Sequence, residues 1–254
     1  MKDRSYGTHL PGVSDEPLTG RLIVVEGADA SGRTTEVEIL REWLEVEGHP
    51  VVDTGLRRST LVSEQIDRAK EGHTLGGATL ALLYATDFAD QLENKILPSL
   101  AAGSTVLADR YIYTLMARAV VRGASREWAQ QLYAFALRPD LTLFLDARPE
   151  ILMHRAISKY GSLDYWESGM DMSISSDRFE SFLEYQLRLR HEFGWMEEPY
   201  HFHMIDANRR PDQVHRDVAE IVRPLFETAP ERKRPGTSAA PGAATSRSRT
   251  AGSE

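Results

Sequence analysis

The 254-residue chain has no cysteine. Disulfides, zinc–thiolate centres and thiol nucleophiles are therefore excluded. It also lacks any apolar run long enough to span a bilayer. Its first twenty residues are polar and broken by Gly and Pro, without the apolar centre of a secretory signal, so a cytoplasmic protein is expected. Net positive charge is missing too. A formal charge of −8 argues against general nucleic-acid binding. The eight histidines show no metal-ligand spacing. His201 and His203 share one side of a predicted strand without a third ligand, and read as strand-edge residues. Anionic ligands must then be held by local arginines and backbone dipoles, not by the overall field.

What the sequence does contain is organised around residues 22–44. Leu22-Ile23-Val24-Val25 is an apolar run of strand length, and Val37, Leu40 and Leu44 fall on one helical face. Between them lies Gly27-Ala28-Asp29-Ala30-Ser31-Gly32-Arg33-Thr34-Thr35. Strand, glycine loop and helix in this order form the context of a phosphate-binding loop of the G-x-x-x-x-G-K-[ST] type. Glycines let the backbone N–H groups converge on a polyphosphate at a helix N-terminus. Arg33 stands where that pattern has lysine.

Further strands are expected at 51–54, 105–108, 141–145 and 201–205, alternating with helices. Gly48 ends the first helix, and Leu61, Ile66 and Ala69 suggest a short amphipathic one. Residues 75–100 read as one long helix, followed by helices over 112–122, after Ser125 to 137, and from Pro149 to about Ser158. Residues 159–176 are polar and unpatterned, which predicts a mobile flap. Helices over 176–193 and 211–226 complete the domain. Residues 1–20 read as a flexible arm, 21–228 as one domain, and 229–254 as a basic, disordered tail rich in Pro, Ala, Ser, Gly and Thr. The pattern predicts an α/β fold of three layers, a five-stranded parallel sheet with helices on both faces. Ligands of such sheets bind at the carboxyl ends of the strands. Those ends carry the glycine loop, Arg58, Asp109-Arg110 and Asp146.

Together these pieces resemble the thymidylate kinases, within the phosphate-loop nucleoside-monophosphate kinases, over about residues 21–226. Val25-Glu26-Gly27-Ala28-Asp29 through Thr35 is similar to the family's E-G-x-D-x-x-G-K-[ST]-T. Arg58-Ser59-Thr60, Leu82-Leu83-Tyr84-Ala85 and Asp109-Arg110-Tyr111 resemble its arginine loop, L-L-F-A helix and D-R-Y. Pro139-Asp140-Leu141 through Pro149-Glu150, Asp177-Arg178-Phe179-Glu180 and Ile205-Asp206-Ala207 follow in the family's order.

The resemblance implies transfer of the γ-phosphoryl of magnesium–ATP onto dTMP, giving dTDP. It implies that Gly27, Ala28, Asp29, Ala30, Ser31, Gly32, Arg33, Thr34 and Thr35 cradle the donor phosphates. Thr34 and Asp109 would serve magnesium, and Arg58 and Arg110 the acceptor phosphate. Asp29 would face the acceptor sugar, and Tyr84 its base. Arg178, or Arg155 and Lys159 beside the flap, would supply a lid cation. A homodimer through the long helices is implied on the same ground.

The departures lie in the same sites. A guanidinium at Arg33 keeps the charge of the lysine but not its compact shape. Phe88 stands where the family usually has a base-reading arginine, and Arg118-Ala119 where many members have tyrosine or phenylalanine and then glutamine. Weaker thymine selection is therefore expected. A kinase with another acceptor, and an ATP-binding regulatory protein with little turnover, are the alternative readings.

Overall fold

The computed structural model describes residues 4–7, 10–11, 17–71 and 75–227. Strands β1 (Arg21–Gly27), β2 (Val51–Gly55), β3 (Thr105–Asp109), β4 (Leu141–Asp146) and β5 (Phe202–Asp206) form one sheet in the order β2-β3-β1-β4-β5. Every pairing is parallel. This is the expected α/β architecture. Side chains alternate across each strand, so Leu22, Val24, Val106, Ala108 and Phe144 enter one apolar layer, while Ile23, Val25, Leu107, Leu143 and Leu145 enter the other. A strand buried on both faces needs a continuous apolar run, which Leu22–Val25 supplies.

Helices α1 (Arg33–Val46), α7 (Pro149–Tyr160) and α9 (Pro211–Glu227) close the layer containing Ile23. The other layer is closed by α3 (Gly77–Gln91), α5 (Ile112–Val121), α6 (Arg126–Leu132) and most of α8 (Arg178–Met196). Ser125 caps α6 by accepting from the Trp128 N–H at 3.1 Å, as expected. Asp177 caps α8, accepting from the Phe179 and Glu180 N–H groups at 2.8 and 2.9 Å. His201 and His203 lie exposed on and beside the edge strand β5.

Several expectations change. The long helix is broken: α3 stops at Gln91, a π-turn spans Leu92–Ile96, and a short α4 (Leu97–Ala101) follows. Pro98 has no N–H for the Asn94 carbonyl and its ring crowds that position, and the backbone widens to a Leu97 N–H bond to the Leu92 carbonyl. Helix α2 (Ser63–Glu71) begins after Leu61, which is exposed; only Ile66 on it is fully buried. Helix α6 ends at Leu132, because the following chain turns to pair Leu137 with Ser5.

The 159–176 segment makes packed contacts with the rest of the domain. Leu163 and Ser168 are buried, the Ser181 hydroxyl donates to the Ser168 carbonyl at 2.7 Å, and Gln186 donates to the Glu167 carbonyl at 2.9 Å. Residues 4–7 of the expected arm are likewise docked. The Tyr6 N–H donates to the Ala136 carbonyl at 3.1 Å and its hydroxyl meets that of Tyr113 at 2.7 Å. The expected tail, 229–254, lies outside the described residues, as do residues 1–3, 8–9 and 12–16. Among the described residues no helix is long and apolar enough to cross a membrane.

Gly20 shows how tightly β1 is seated. A Cβ there would lie 2.1 Å from the Ser104 carbonyl oxygen and 2.9 Å from the Leu100 Cα. Both obstacles are backbone, so Gly20→Ala is expected to destabilise the fold by about 2 kcal/mol, read as a lower urea midpoint. An unchanged midpoint would show that the 100–104 turn yields freely.

Candidate active site

The parallel register sets Val25 beside Asp109 and Gly27 beside Leu145. The glycine loop, the end of β3 and the end of β4 therefore meet on one edge. Gly27 has φ 147°, and a Cβ on it would lie 2.7 Å from Ser31 Oγ and 2.8 Å from the Leu145 carbonyl. Ala30 adopts φ 64°, and Gly32, at φ 103°, opens α1 without a side-chain cap. The first-turn amides of a helix have no intrahelical acceptor. Left uncapped and facing a cavity, they are a seat for an anion.

Arg33 does not point away from the loop. Its side chain is buried, with Nη1 donating to the carbonyls of Gly27 and Ala28. Its Nε donates to Asp109 Oδ1 at 3.0 Å, and the Thr34 hydroxyl donates to Asp109 Oδ2 at 3.0 Å. One carboxylate thus fastens the end of β3 to two successive residues of α1. Its second neighbour is Asp29, which the guanidinium of Arg33 approaches to 3.9 Å. Arg118 donates to Asp29 Oδ2 at 2.9 Å, and Arg110 forms an ion pair with Asp29 Oδ1. Three cations converge on one acidic side chain.

The turn that carries Arg110 is held from beneath. Glu26 is fully buried and accepts from the N–H groups of Tyr111 and Thr114 at 2.8 and 3.1 Å, and from the Thr114 hydroxyl at 2.5 Å. Burial pushes the Glu26 carboxyl upward, against these hydrogen bonds. Arg110 itself has φ 73°, a conformation non-glycine residues seldom adopt. Burial and the neighbouring charge of Arg118 bring its guanidinium down to about 9. Its Nη2 stays in the ion pair with Asp29, and its Nε makes no hydrogen bond among the described residues. An anionic ligand in the adjoining cavity would give that N–H an acceptor.

A cavity opens beside this turn. Arg57, Arg58, Lys70, Arg110, Arg118 and Arg122 give it a cationic wall, with Leu80, Ala81, Tyr84, Leu115 and Tyr133 as apolar floor. Arg58 is placed by a device absent from the sequence reading. Asp87 on α3 is fully buried and accepts from the N–H groups of Arg57 and Ser59 at 2.9 and 3.0 Å. Gly55 leaves the Arg58 side chain room, since a Cβ there would be 3.2 Å from its Nε. Tyr84 lies on this floor, 5% exposed. Phe88, grouped with it at the acceptor, does not line the cavity. One helical turn further on, it packs in the core, edge-on to Tyr111 with ring centroids 5.0 Å apart.

The second cavity is lined by the loop from Asp29 to Glu36, by Arg155, Lys159 and Tyr160 of α7, and by Ala207, Arg209, Pro211 and Val214. Arg155 donates to the Ser31 carbonyl at 3.5 Å and the Arg209 carbonyl at 3.3 Å. Of the three lid cations considered, Arg155 and Lys159 reach this cavity. Arg178 faces outward and donates to the Leu163 carbonyl at 3.3 Å, away from both. Asp146 is bound by Arg190 through two bonds of 2.8 and 2.7 Å and lines neither cavity. Glu167 lines both cavities, and so marks where they meet. Tyr160 and Trp166 are residues that the sequence offers either as base contacts or as packing for the 159–176 stretch, and each lines a cavity. Glu167, Lys70, Arg57, Arg122 and Arg209 were not found from the sequence, because no motif marks them and only packing brings them to the cavities.

Asp109→Ala would leave the Arg33 guanidinium without its aligned carboxylate. A loss of about 3 kcal/mol in unfolding free energy is expected, at the low end for a broken buried pair because Asp29 remains close. Denaturant titration of the ligand-free protein measures it. A loss below about 0.5 kcal/mol, the scale of a solvent-exposed pair, would contradict the assignment.

Comparison with known proteins agrees with this geometry. A family model for thymidylate kinase matches residues 25–218. The probable thymidylate kinase 2 of Saccharolobus solfataricus is 34% identical over 206 residues, covering 81% of this chain and 96% of that protein. The thymidylate kinase of Ruegeria pomeroyi is 37% identical over 213 residues, covering 80% and 95%. The probable thymidylate kinase of Pyrococcus abyssi is 30% identical over 213 residues, covering 81% and 97%. The matched span holds the glycine loop, the Asp109-Arg110 turn and the walls of both cavities, and the chain belongs to the thymidylate kinase family of nucleoside-monophosphate kinases.

Proposed function

We propose that this chain transfers the γ-phosphoryl of magnesium–ATP to dTMP, releasing ADP and dTDP. The observation that carries the reading is the meeting of two cavities. One is floored by a glycine loop at an uncapped helix, the other is lined by Arg58 and Arg110, and Asp109 and Thr34 stand beside their junction. In the transfer, an oxygen of the acceptor phosphate bonds to the γ-phosphorus as the bond to the β,γ-bridging oxygen breaks. Such a reaction needs alignment and charge neutralisation more than covalent help.

The roles follow from position. The loop from Gly27 to Thr35 takes the donor phosphates, and Arg155 and Lys159 bring cations over them from α7. Asp109 and Thr34 offer a carboxylate and a hydroxyl, a hard, all-oxygen pair suited to magnesium. Magnesium supplies charge neutralisation on the β- and γ-phosphate oxygens when bound. Arg58 and Arg110 hold the acceptor phosphate, and Asp29, fixed by Arg118, faces its sugar. Tyr84 offers a face to the base. A homodimer and a cytoplasmic location belong to the same reading, and light scattering at twice the chain mass is its check on assembly.

Arg33 is the point on which turnover depends. Its guanidinium is engaged by the Gly27 and Ala28 carbonyls and by Asp109, so reaching the phosphates means exchanging those partners. Arg33→Lys is expected to raise kcat by roughly tenfold or more, since misplacement by about 1 Å costs on the order of 10²-fold. No gain, with ATP affinity retained, would favour the regulatory reading.

The direct test is ADP release from magnesium–ATP by the wild-type protein against dTMP, dUMP, dCMP and dGMP, with an acceptor-free blank. Selective turnover of dTMP is expected, with weaker discrimination than an ordinary member of the family because Phe88 offers no hydrogen bond. Turnover with another acceptor alone would retain the chemistry and discard dTMP as the substrate.

A further inference from the structure

One cation in the wall of the Arg58–Arg110 cavity is already fully engaged by the protein. Arg122 ends α5 and lines that cavity. Its Nε donates to Asp171 Oδ2 at 2.8 Å, and its Nη2 to Asp171 Oδ1 at 3.1 Å. Nη2 also donates to the Trp166 carbonyl at 3.3 Å. Nη1 donates to the Tyr185 hydroxyl at 2.7 Å and to the Arg118 carbonyl at 3.4 Å. A guanidinium has five N–H donors, and here each has an acceptor within the fold. Arg110 differs, since its Nε has no acceptor among the described residues. Arg122 has no donor left for a ligand, and the Asp171 carboxylate balances its charge.

These bonds join segments far apart in the chain. Asp171 lies in the turn Met170–Met172, and Tyr185 lies on α8. Gly169, just before that turn, has φ 64°, and a Cβ on it would lie 2.9 Å from the Tyr185 Cβ. The turn is therefore pressed against α8. The Trp166 indole N–H donates to the Lys70 carbonyl on α2 at 3.2 Å, and Gln186 on α8 holds the Glu167 carbonyl. Residues 166–171 are thus tied to α2, α5 and α8, and two of them, Trp166 and Glu167, belong to the cavity wall. The other end of the segment is different. Tyr160, at the end of α7, lines the donor cavity and is 61% exposed.

Resting on the proposed dTMP reaction, we infer that Arg122 is a positioning residue, a latch that holds residues 166–171 against α5 and α8 and keeps the acceptor side assembled before any nucleotide arrives. It acts through Trp166 and Glu167, not by touching the acceptor. A wall ordered in advance spares the acceptor the cost of ordering it on binding. Lysine could not replace the latch, because three donors on one nitrogen cannot span two carboxylate oxygens, a hydroxyl and two carbonyls.

The test compares the ligand-free full chain as wild type, Arg122→Met, Asp171→Ala and the double variant. Hydrogen exchange is followed over peptides from 161–177, and calorimetry measures binding of dTMP and of magnesium–ATP. We expect Arg122→Met to speed exchange over 164–172 and to weaken dTMP binding by roughly tenfold or more, with ATP affinity within about twofold of wild type. Asp171 does not line this cavity, yet Asp171→Ala is expected to reproduce both effects. The double variant is expected to be no worse than Arg122→Met alone, because the pair acts as one unit. Protection of β1 peptides checks the fold, and if Arg122→Met loses it, Asp171→Ala carries both readouts by itself. A loss of dTMP affinity with unchanged exchange, or losses that add in the double variant, would place Arg122 on the acceptor and overturn the proposal. Faster exchange with dTMP affinity intact would make the latch a mere structural tie, and would overturn it too. A wild type that binds no dTMP would instead refute the substrate reading. Exchange alone then decides on the latch, and an unchanged rate in Arg122→Met overturns it.

Discussion

The Asp109 carboxylate is the contact on which the rest of the site depends. It sits at the end of β3, and its two oxygens hold Arg33 and Thr34 in the first turn of α1. Because β3 pairs with β1, and β1 leads into the glycine loop, this clasp closes a ring of strand, loop and helix. The cations nearest the loop gather around it. Arg110 follows Asp109 in the chain, and Asp29, inside the ring, gathers Arg110 and Arg118. In a chain with net negative charge, this local concentration of guanidinium groups creates the field that a polyphosphate requires.

The same clasp explains why an arginine fits where a lysine is usual. The planar fork has enough donors to satisfy two backbone carbonyls and a carboxylate together. A lysine ammonium could not span those partners at once and would be freer to leave them. The substitution keeps the charge and ties the guanidinium to the loop backbone and to Asp109 at once.

Much of this was legible in the chain. Leu22–Val25 is apolar throughout because both faces of β1 are buried, so the strand and its central place in a parallel sheet follow from four residues. Asp109-Arg110 and Arg58 fall at strand ends, where the topology collects ligands. What escaped notice depends on packing between distant segments. Asp87 reads as an ordinary helical carboxylate, but it holds the Arg58 loop by its amides. Glu26 reads as part of a motif, and its buried bonds to Tyr111 and Thr114 shape the Arg110 turn. Residues 159–176 lack periodicity, so nothing local predicts that Ser181, Gln186 and Arg122 pin them between the cavities. Phe88 has the helical spacing of a cavity residue, and only the neighbouring rings of Tyr111, Tyr133 and Phe135 show that it belongs to the core.

The docking of residues 4–7 has a practical side. Ser5 and Tyr6 fasten onto the 136–137 stretch just before β4, at the amino ends of the strands, while both cavities open at the carboxyl ends. The sheet therefore stands between this anchor and the chemistry. A surface, bead or fusion partner joined upstream of Ser5 would hold the molecule by its back, with the cavity mouths turned toward the medium. For immobilised use, the fold has already chosen its handle.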